Sequence, residues 1–180
     1  RRALLQRHGI SRRFVMYTGG ADERKNLHRL IQAYAGLPVD LRRNVQLVFV
    51  GKMPDEYVRA FTQTARNSGM AADELVCTGY VDDTDLRKLY CCCDLFAFPS
   101  THEGFGIPPL EAMACGAPVV GSHATSLAEV IGLPEALFDP ASVEAIRALV
   151  EKALTDPAYR QRLVAHGQEH AQTFTWDRSA

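Results

Sequence analysis

Three features of this chain predict a doubly wound α/β domain with one parallel sheet. Short apolar runs recur along it, segments of 3.6-residue apolar period separate them, and clusters of glycine and charge follow the run ends. The runs at 14–18, 45–50, 75–78, 95–98, 119–122 and 136–138 read as strands, parallel because a helical crossover lies between them. Leu27, Leu30, Ile31 and Tyr34 form the buried stripe of the first crossover helix, with Asn26 read as its N-cap. Segments 55–68, 83–93, 108–115 and 126–131 read as further crossover helices, and helices at 142–155 and 157–174 close the chain. Asp83 and Thr84, ahead of Leu86, Leu89 and Tyr90, are expected to cap the 83–93 helix with an acid at its positive end. No internal repeat, low-complexity tract or long linker divides residues 1–180, which read as one domain.

A chain of 180 residues can bury roughly 70% of its unfolded surface around one core. Twenty basic and 21 acidic side chains leave a formal charge of -1, so there is no global attraction for nucleic acid or for an anionic membrane. Any anion site must be local. No apolar run approaches the roughly 18 residues of a membrane span, and the Arg-rich start lacks the apolar core of a signal peptide. Five cysteines, three of them adjacent at Cys91, Cys92 and Cys93, fit reduced thiols in cytoplasm better than a disulfide framework. Consecutive helical residues point in different directions, so the triplet is not read as a zinc site.

Residues 98–122 carry the richest chemistry. Gly104 and Gly106 lead into a helix and let a ligand approach the backbone, where unpaired N–H groups and the positive dipole end favour an anion such as phosphate. The amides of Phe105, Gly106 and Ile107 are free to meet it, whereas Pro108 and Pro109 lack donors and preset the first turn. Glu103 and Glu111 would repel phosphate, so as contacts of the same ligand they are read as acceptors for its hydroxyl groups. A nucleotide sugar, with both phosphates and hydroxyls, meets both requirements. After the first strand, Gly19, Gly20, Arg24 and Lys25 read either as a diphosphate clamp or as a solvated turn capped by Asn26.

Other polar residues are weaker candidates. Phe105 packs beneath a sugar or plugs its loop into the core, the commoner use of an aromatic. Asp83-Thr84-Asp85 spells an Asp-x-Asp metal motif but is read as the helix cap, so no obligatory metal is expected. Lys52 faces either the cleft or solvent. His102 has no relay partners and reads as incidental, and Glu129 as a surface acid.

This stretch resembles the family-4 retaining glycosyltransferases, whose pair of glutamates separated by seven residues appears as Glu103-Gly-Phe-Gly-Ile-Pro-Pro-Leu-Glu111. The resemblance extends to Phe98-Pro-Ser100, to residues 111–120, to Ser126-Leu-Ala-Glu-Val130 and to Phe174-Thr-Trp176, over about residues 14–176. It implies a C-terminal donor-binding domain of the two-domain GT-B architecture, preceded in the complete protein by an acceptor domain. The implied partners are a nucleotide-sugar donor, GDP- or UDP-linked, and a glycan or glycolipid acceptor on that N-terminal domain, with no further cofactor. Carried over by motif, Glu111 holds the ribose hydroxyls and Glu103 lies by the donor sugar. Arg24 and Lys25 hold the pyrophosphate and stabilise the leaving group, Val81 receives the base largely through backbone groups, and Gly19, Gly20, Gly104, Phe105, Gly106 and Ile107 line the donor. The form Arg24-Lys25-Asn26-Leu27 resembles bacterial mannosyltransferases of surface-polysaccharide assembly, which implies GDP-mannose and leaves UDP-glucose as the other donor. The implied setting is the cytoplasm, compatible with peripheral association of the full protein at the inner membrane face.

Two other classes compete. A nicotinamide-binding oxidoreductase domain would need the rest of a Gly-x-Gly-x-x-Gly run after Gly19-Gly20, which is absent from the sequence. A non-catalytic nucleotide-sugar sensor would use the same site without turnover.

Overall fold

The computed structural model describes residues 1–174. Its strands are β1 (Arg13–Thr18), β2 (Val45–Val50), β3 (Leu75–Cys77), β4 (Leu95–Phe98), β5 (Val119–Ser122) and β6 (Leu137–Phe138). All pair in parallel, in the order β3-β2-β1-β4-β5-β6. Val15 of β1 lies level with Leu47 on one side and with Leu95 on the other. The chain therefore winds outward from β1 in one direction, returns, and winds outward from β4 in the other. The crevice beyond the carboxyl ends of β1 and β4 is the topological switch point, where open α/β sheets bind ligands.

The helices are α1 (Arg2–Arg7), α2 (Leu27–Ala35), α3 (Val39–Arg42), α4 (Asp55–Asn67), α5 (Asp83–Cys92), α6 (Ile107–Ala114), α7 (Leu127–Ile131), α8 (Val143–Thr155) and α9 (Pro157–Ala171). Every residue of β2 is buried, which is why its sequence is apolar or neutral throughout rather than alternating. Helix α2 buries Leu27, Leu30, Ile31, Ala33 and Tyr34, the stripe read from the sequence, and the Tyr34 hydroxyl donates to Val45 O at 2.5 Å. Within the core, Tyr17, Phe98, Phe96 and Tyr90 form a run of rings with successive centroids 5.5, 6.0 and 5.5 Å apart.

Most expected boundaries hold to within a residue, with three differences. Helix α9 ends at Ala171 instead of continuing to Phe174. Asp82, not Asp83, caps α5, accepting the Asp85 N–H at 2.8 Å, and Asp83 falls in the first turn. Asn26 does not cap α2 at all: it stands in the left-handed region at φ 61, without a side-chain cap bond. Its side chain has another use, described below. Helices α1 and α3 were not foreseen, and the reason is length and polarity: α1 buries only Leu4 and α3 is a single turn of 4 residues.

Candidate donor site at the switch point

The segments that follow β1 and β4 are laced together. Arg24 O accepts the Thr101 N–H at 2.8 Å and lies 3.2 Å from the Ser100 hydroxyl oxygen. The buried Asn26 amide donates to Pro99 O at 2.9 Å and to Pro140 O at 2.8 Å, tying this turn to β4 and to the loop after β6. Lys25 Nζ then lies 2.5 Å from Glu103 Oε1, with 13% and 14% of the two side chains exposed. The fully buried Ser100 donates to that same oxygen at 2.6 Å. Arg24 is different: its side chain is 61% exposed and pairs with Asp22 at 3.0 Å. The Arg24 hydrogen bond, reinforced by Lys25, holds the Asp22 carboxyl below the usual carboxylate range.

The glycines divide by purpose. Gly19 has φ 147, and a Cβ there would meet the Tyr17 hydroxyl at 2.5 Å. That hydroxyl donates to Gly20 O at 2.8 Å, and burial together with the Glu103 charge pushes its pKa well above the ordinary tyrosine value. Gly106 has φ 92 and would clash with Leu127 Cδ2 at 2.7 Å, so packing against α7 requires it. At Gly104, by contrast, an added Cβ would meet nothing within 4 Å. A side chain is thus excluded at Gly106 by its backbone conformation and by Leu127, and the space beside Gly104 is open. Phe105 is not a core plug: it is 39% exposed and meets Phe174 edge to face at 5.9 Å, beside Ile107 at 53% exposed.

Glu111 stands exposed on the second turn of α6, facing a cleft of about 440 Å³ bounded by Asp83, Leu86, Arg87, Tyr90 and Ala114. The Tyr90 hydroxyl, from a buried ring, donates to Glu111 Oε2 at 3.2 Å. Burial first, then the Glu111 charge, raises the Tyr90 pKa above the ordinary value. Val81 is half-buried just beyond β3, next to Tyr80 at 76% exposed. Gly51 and Gly79 pair across the loops after β2 and β3 and hold that corner, while Lys52 and His102 are exposed. Asp85 of the Asp-x-Asp sequence is engaged by Arg7 at 2.9 Å and His8 at 3.0 Å. Among the described residues no three His, Cys, Asp or Glu side chains converge as a metal site.

A family model described as "Glycosyl transferases group 1" matches residues 2–170. The chain belongs to this family. It is 41% identical over 178 residues to "Serotype-specific mannosyltransferase WbdA" of Escherichia coli, covering 99% of this chain and 22% of that protein. It is 37% identical over 166 residues to "O-antigen chain mannosyltransferase B" of Escherichia coli, covering 91% of this chain and 42% of that protein. Among solved structures, Anabaena Alr3699/HepE in complex with UDP and glucose superposes with a TM-score of 0.82 at 25% identity, over 96% of this chain and 47% of that one. The chain thus spans less than half the length of these relatives, and its fold is the Rossmann-like domain type of the GT-B glycosyltransferases.

In this group 1 glycosyl transferase domain, sequence reasoning put Arg24 and Lys25 after the first strand and Glu103 and Gly104 in the 98–122 stretch, and the structure joins the two segments through Lys25 and Glu103. It missed the groups that hold them. Thr125 Oγ1 accepts the Glu103 N–H at 3.1 Å and lies 3.2 Å from Glu103 O, to which Ser126 also donates at 3.1 Å. Thr125 adopts φ 50, a conformation β-branched residues seldom take. Its place beside a motif residue 22 positions away leaves no local signal. Tyr90, 21 positions from Glu111, had none either, whereas Ser100 stands 3 positions before Glu103.

Proposed function

We propose that this chain is the donor-binding domain of a retaining glycosyltransferase that moves mannose from GDP-mannose to a hydroxyl of a growing polysaccharide or glycolipid. The observation that carries the reading is the convergence of Lys25, Glu103 and the open backbone at Gly104 at the switch point, with Glu111 presented from the same helix–loop unit. Lys25, and to a lesser degree Arg24, hold the diphosphate. As the bond from the sugar to the diphosphate breaks, negative charge grows on the leaving oxygen and the ammonium stabilises it. Glu103 Oε2 accepts from the sugar hydroxyls, Glu111 from the ribose hydroxyls, and the loop at Val81 receives the base. The acceptor is held by a second domain of the full-length protein. No metal is assigned a role.

The names of the Escherichia coli relatives support mannose, whereas the Anabaena structure, with UDP and glucose, supports a UDP-glucose donor as the second reading. Calorimetry with GDP, UDP and NAD, followed by a transfer assay of the full-length protein with GDP-mannose and UDP-glucose, tests both. GDP should bind most tightly and GDP-mannose should be the donor consumed. Tightest binding of NAD, or binding of sugar nucleotides without any transfer by the full-length protein, would overturn the assignment.

A further inference from the structure

The hydrogen bonding around Glu103 is lopsided. Both donors that reach its carboxylate, Lys25 Nζ at 2.5 Å and Ser100 Oγ at 2.6 Å, converge on Oε1, and among the described residues no protein donor reaches Oε2. Ser100 has one hydroxyl hydrogen and two acceptors in range, Glu103 Oε1 at 2.6 Å and Arg24 O at 3.2 Å. The shorter contact to the charged acceptor takes it, since O–H···O⁻ bonds at this length are the stronger kind. Ser100 lies two residues beyond β4 and is 0% exposed, so its short side chain is held by the close packing around it. Lys25, on a long flexible stem, cannot fix a carboxylate in the same way. The backbone of Glu103 is fixed independently, by Thr125 and Ser126.

We propose that Ser100 is the positioning residue of the site: its hydroxyl pins Oε1 of Glu103, which docks Lys25 on that oxygen and turns Oε2 outward as the acceptor for the donor sugar. Ser100 itself touches no substrate. This deepens the reading of Glu103 as the sugar contact and rests on it. With one Lys25 proton taken by Oε1, two remain for the diphosphate, so a single pinned oxygen sets both the acid and the cation.

The test uses Ser100→Ala, Glu103→Gln and the double variant in the full-length protein. In a crystal structure of ligand-free Ser100→Ala, the Glu103 carboxylate should rotate and Oε1 should leave Lys25. A carboxylate unmoved by more than about 0.5 Å, the tolerance of a preorganised site, would overturn the proposal with or without any ligand. By calorimetry, the ratio of GDP-mannose to GDP affinity should fall about tenfold in Ser100→Ala, and by no more than about twofold when Ser100→Ala is added to Glu103→Gln, since groups acting through one another are not additive. An equal loss of both ligands, or the same tenfold loss in the Glu103→Gln background, would make Ser100 a structural residue and sink the idea. If the carboxylate rotates but the wild type binds neither GDP-mannose nor UDP-glucose, the positioning role stands and the proposed function fails.

Discussion

Asn26→Ala asks whether one buried amide holds the switch-point loops together. Its Nδ2 group donates to Pro99 O at 2.9 Å and Pro140 O at 2.8 Å from a residue 7% exposed. Truncation strands two buried carbonyls, each costing about 1 to 3 kcal/mol when left unpaired. Asn26 also stands at φ 61, where alanine costs roughly 1 to 2 kcal/mol more than in an ordinary conformation. Together these predict a loss of about 3 to 8 kcal/mol in the 180-residue chain. Asn26→Gly strands the same carbonyls without the left-handed penalty, so it should be about 1 kcal/mol more stable than the alanine variant. Urea unfolding followed by circular dichroism reads this directly: at a slope near 2 kcal/mol/M, the alanine midpoint should drop by roughly 1.5 to 4 M. A loss below about 1 kcal/mol, or an alanine variant at least as stable as the glycine one, would refute the reasoning.

Lys25→Ala should weaken GDP by about 1.5 to 3 kcal/mol, the range for bonds to charged groups, and leave guanosine almost unchanged. Arg24→Ala should weaken GDP less than Lys25→Ala does, because its guanidinium is exposed and already paired with Asp22; equal calorimetric losses for the two variants would contradict the difference in their settings. Glu111→Gln should weaken ribonucleotide binding by about 1 to 3 kcal/mol and weaken the 2'-deoxy nucleotide less; unchanged affinity for both would leave Glu111 a structural partner of Tyr90. Acid unfolding tests Asp85, whose carboxyl is held below its usual 3.8 by the His8 hydrogen bond, with Arg7 and Lys88 adding to it. A depressed folded value means its stabilisation is complete above about pH 4 and lost as pH falls below that, so Asp85→Asn should flatten the stability profile there. An unchanged slope below pH 4 would show the pairing carries no stability.

The sheet was legible because strands buried on both faces must be apolar and strand ends must not be: β2 and β4 stand where their apolar runs do. Asn26 was misread for a definite reason. The short amide that suits an N-cap also tolerates the left-handed conformation and bonds backbone, and only the positions of Pro99 and Pro140 decide between these uses. The same ambiguity moved the α5 cap by one residue within Asp82-Asp83. Candidate site residues were legible as types at strand ends, while the contacts that orient them join segments far apart in sequence. Tyr90 reaches Glu111 from 21 positions away, and Thr125 reaches Glu103 from 22, across β5. The Thr175 and Trp176 part of the motif resemblance lies outside the described residues.

The run of rings through Tyr17, Phe98, Phe96 and Tyr90 joins the two sides of the site beneath its surface. One end lies beneath the Gly19-Gly20 turn, in the field of Glu103, and the other hydrogen-bonds Glu111. Aromatic rings neither compress nor change rotamer cheaply in a close-packed interior. The run therefore serves its two ends differently: Tyr90 holds the Glu111 carboxylate directly, whereas Tyr17 holds the Gly20 carbonyl and leaves Glu103 to Ser100, Thr125 and Ser126. A change at Phe96 or Phe98 would then act on the Glu111 carboxylate through Tyr90 and on the Gly19-Gly20 turn through Tyr17, from well beneath the surface any ligand touches.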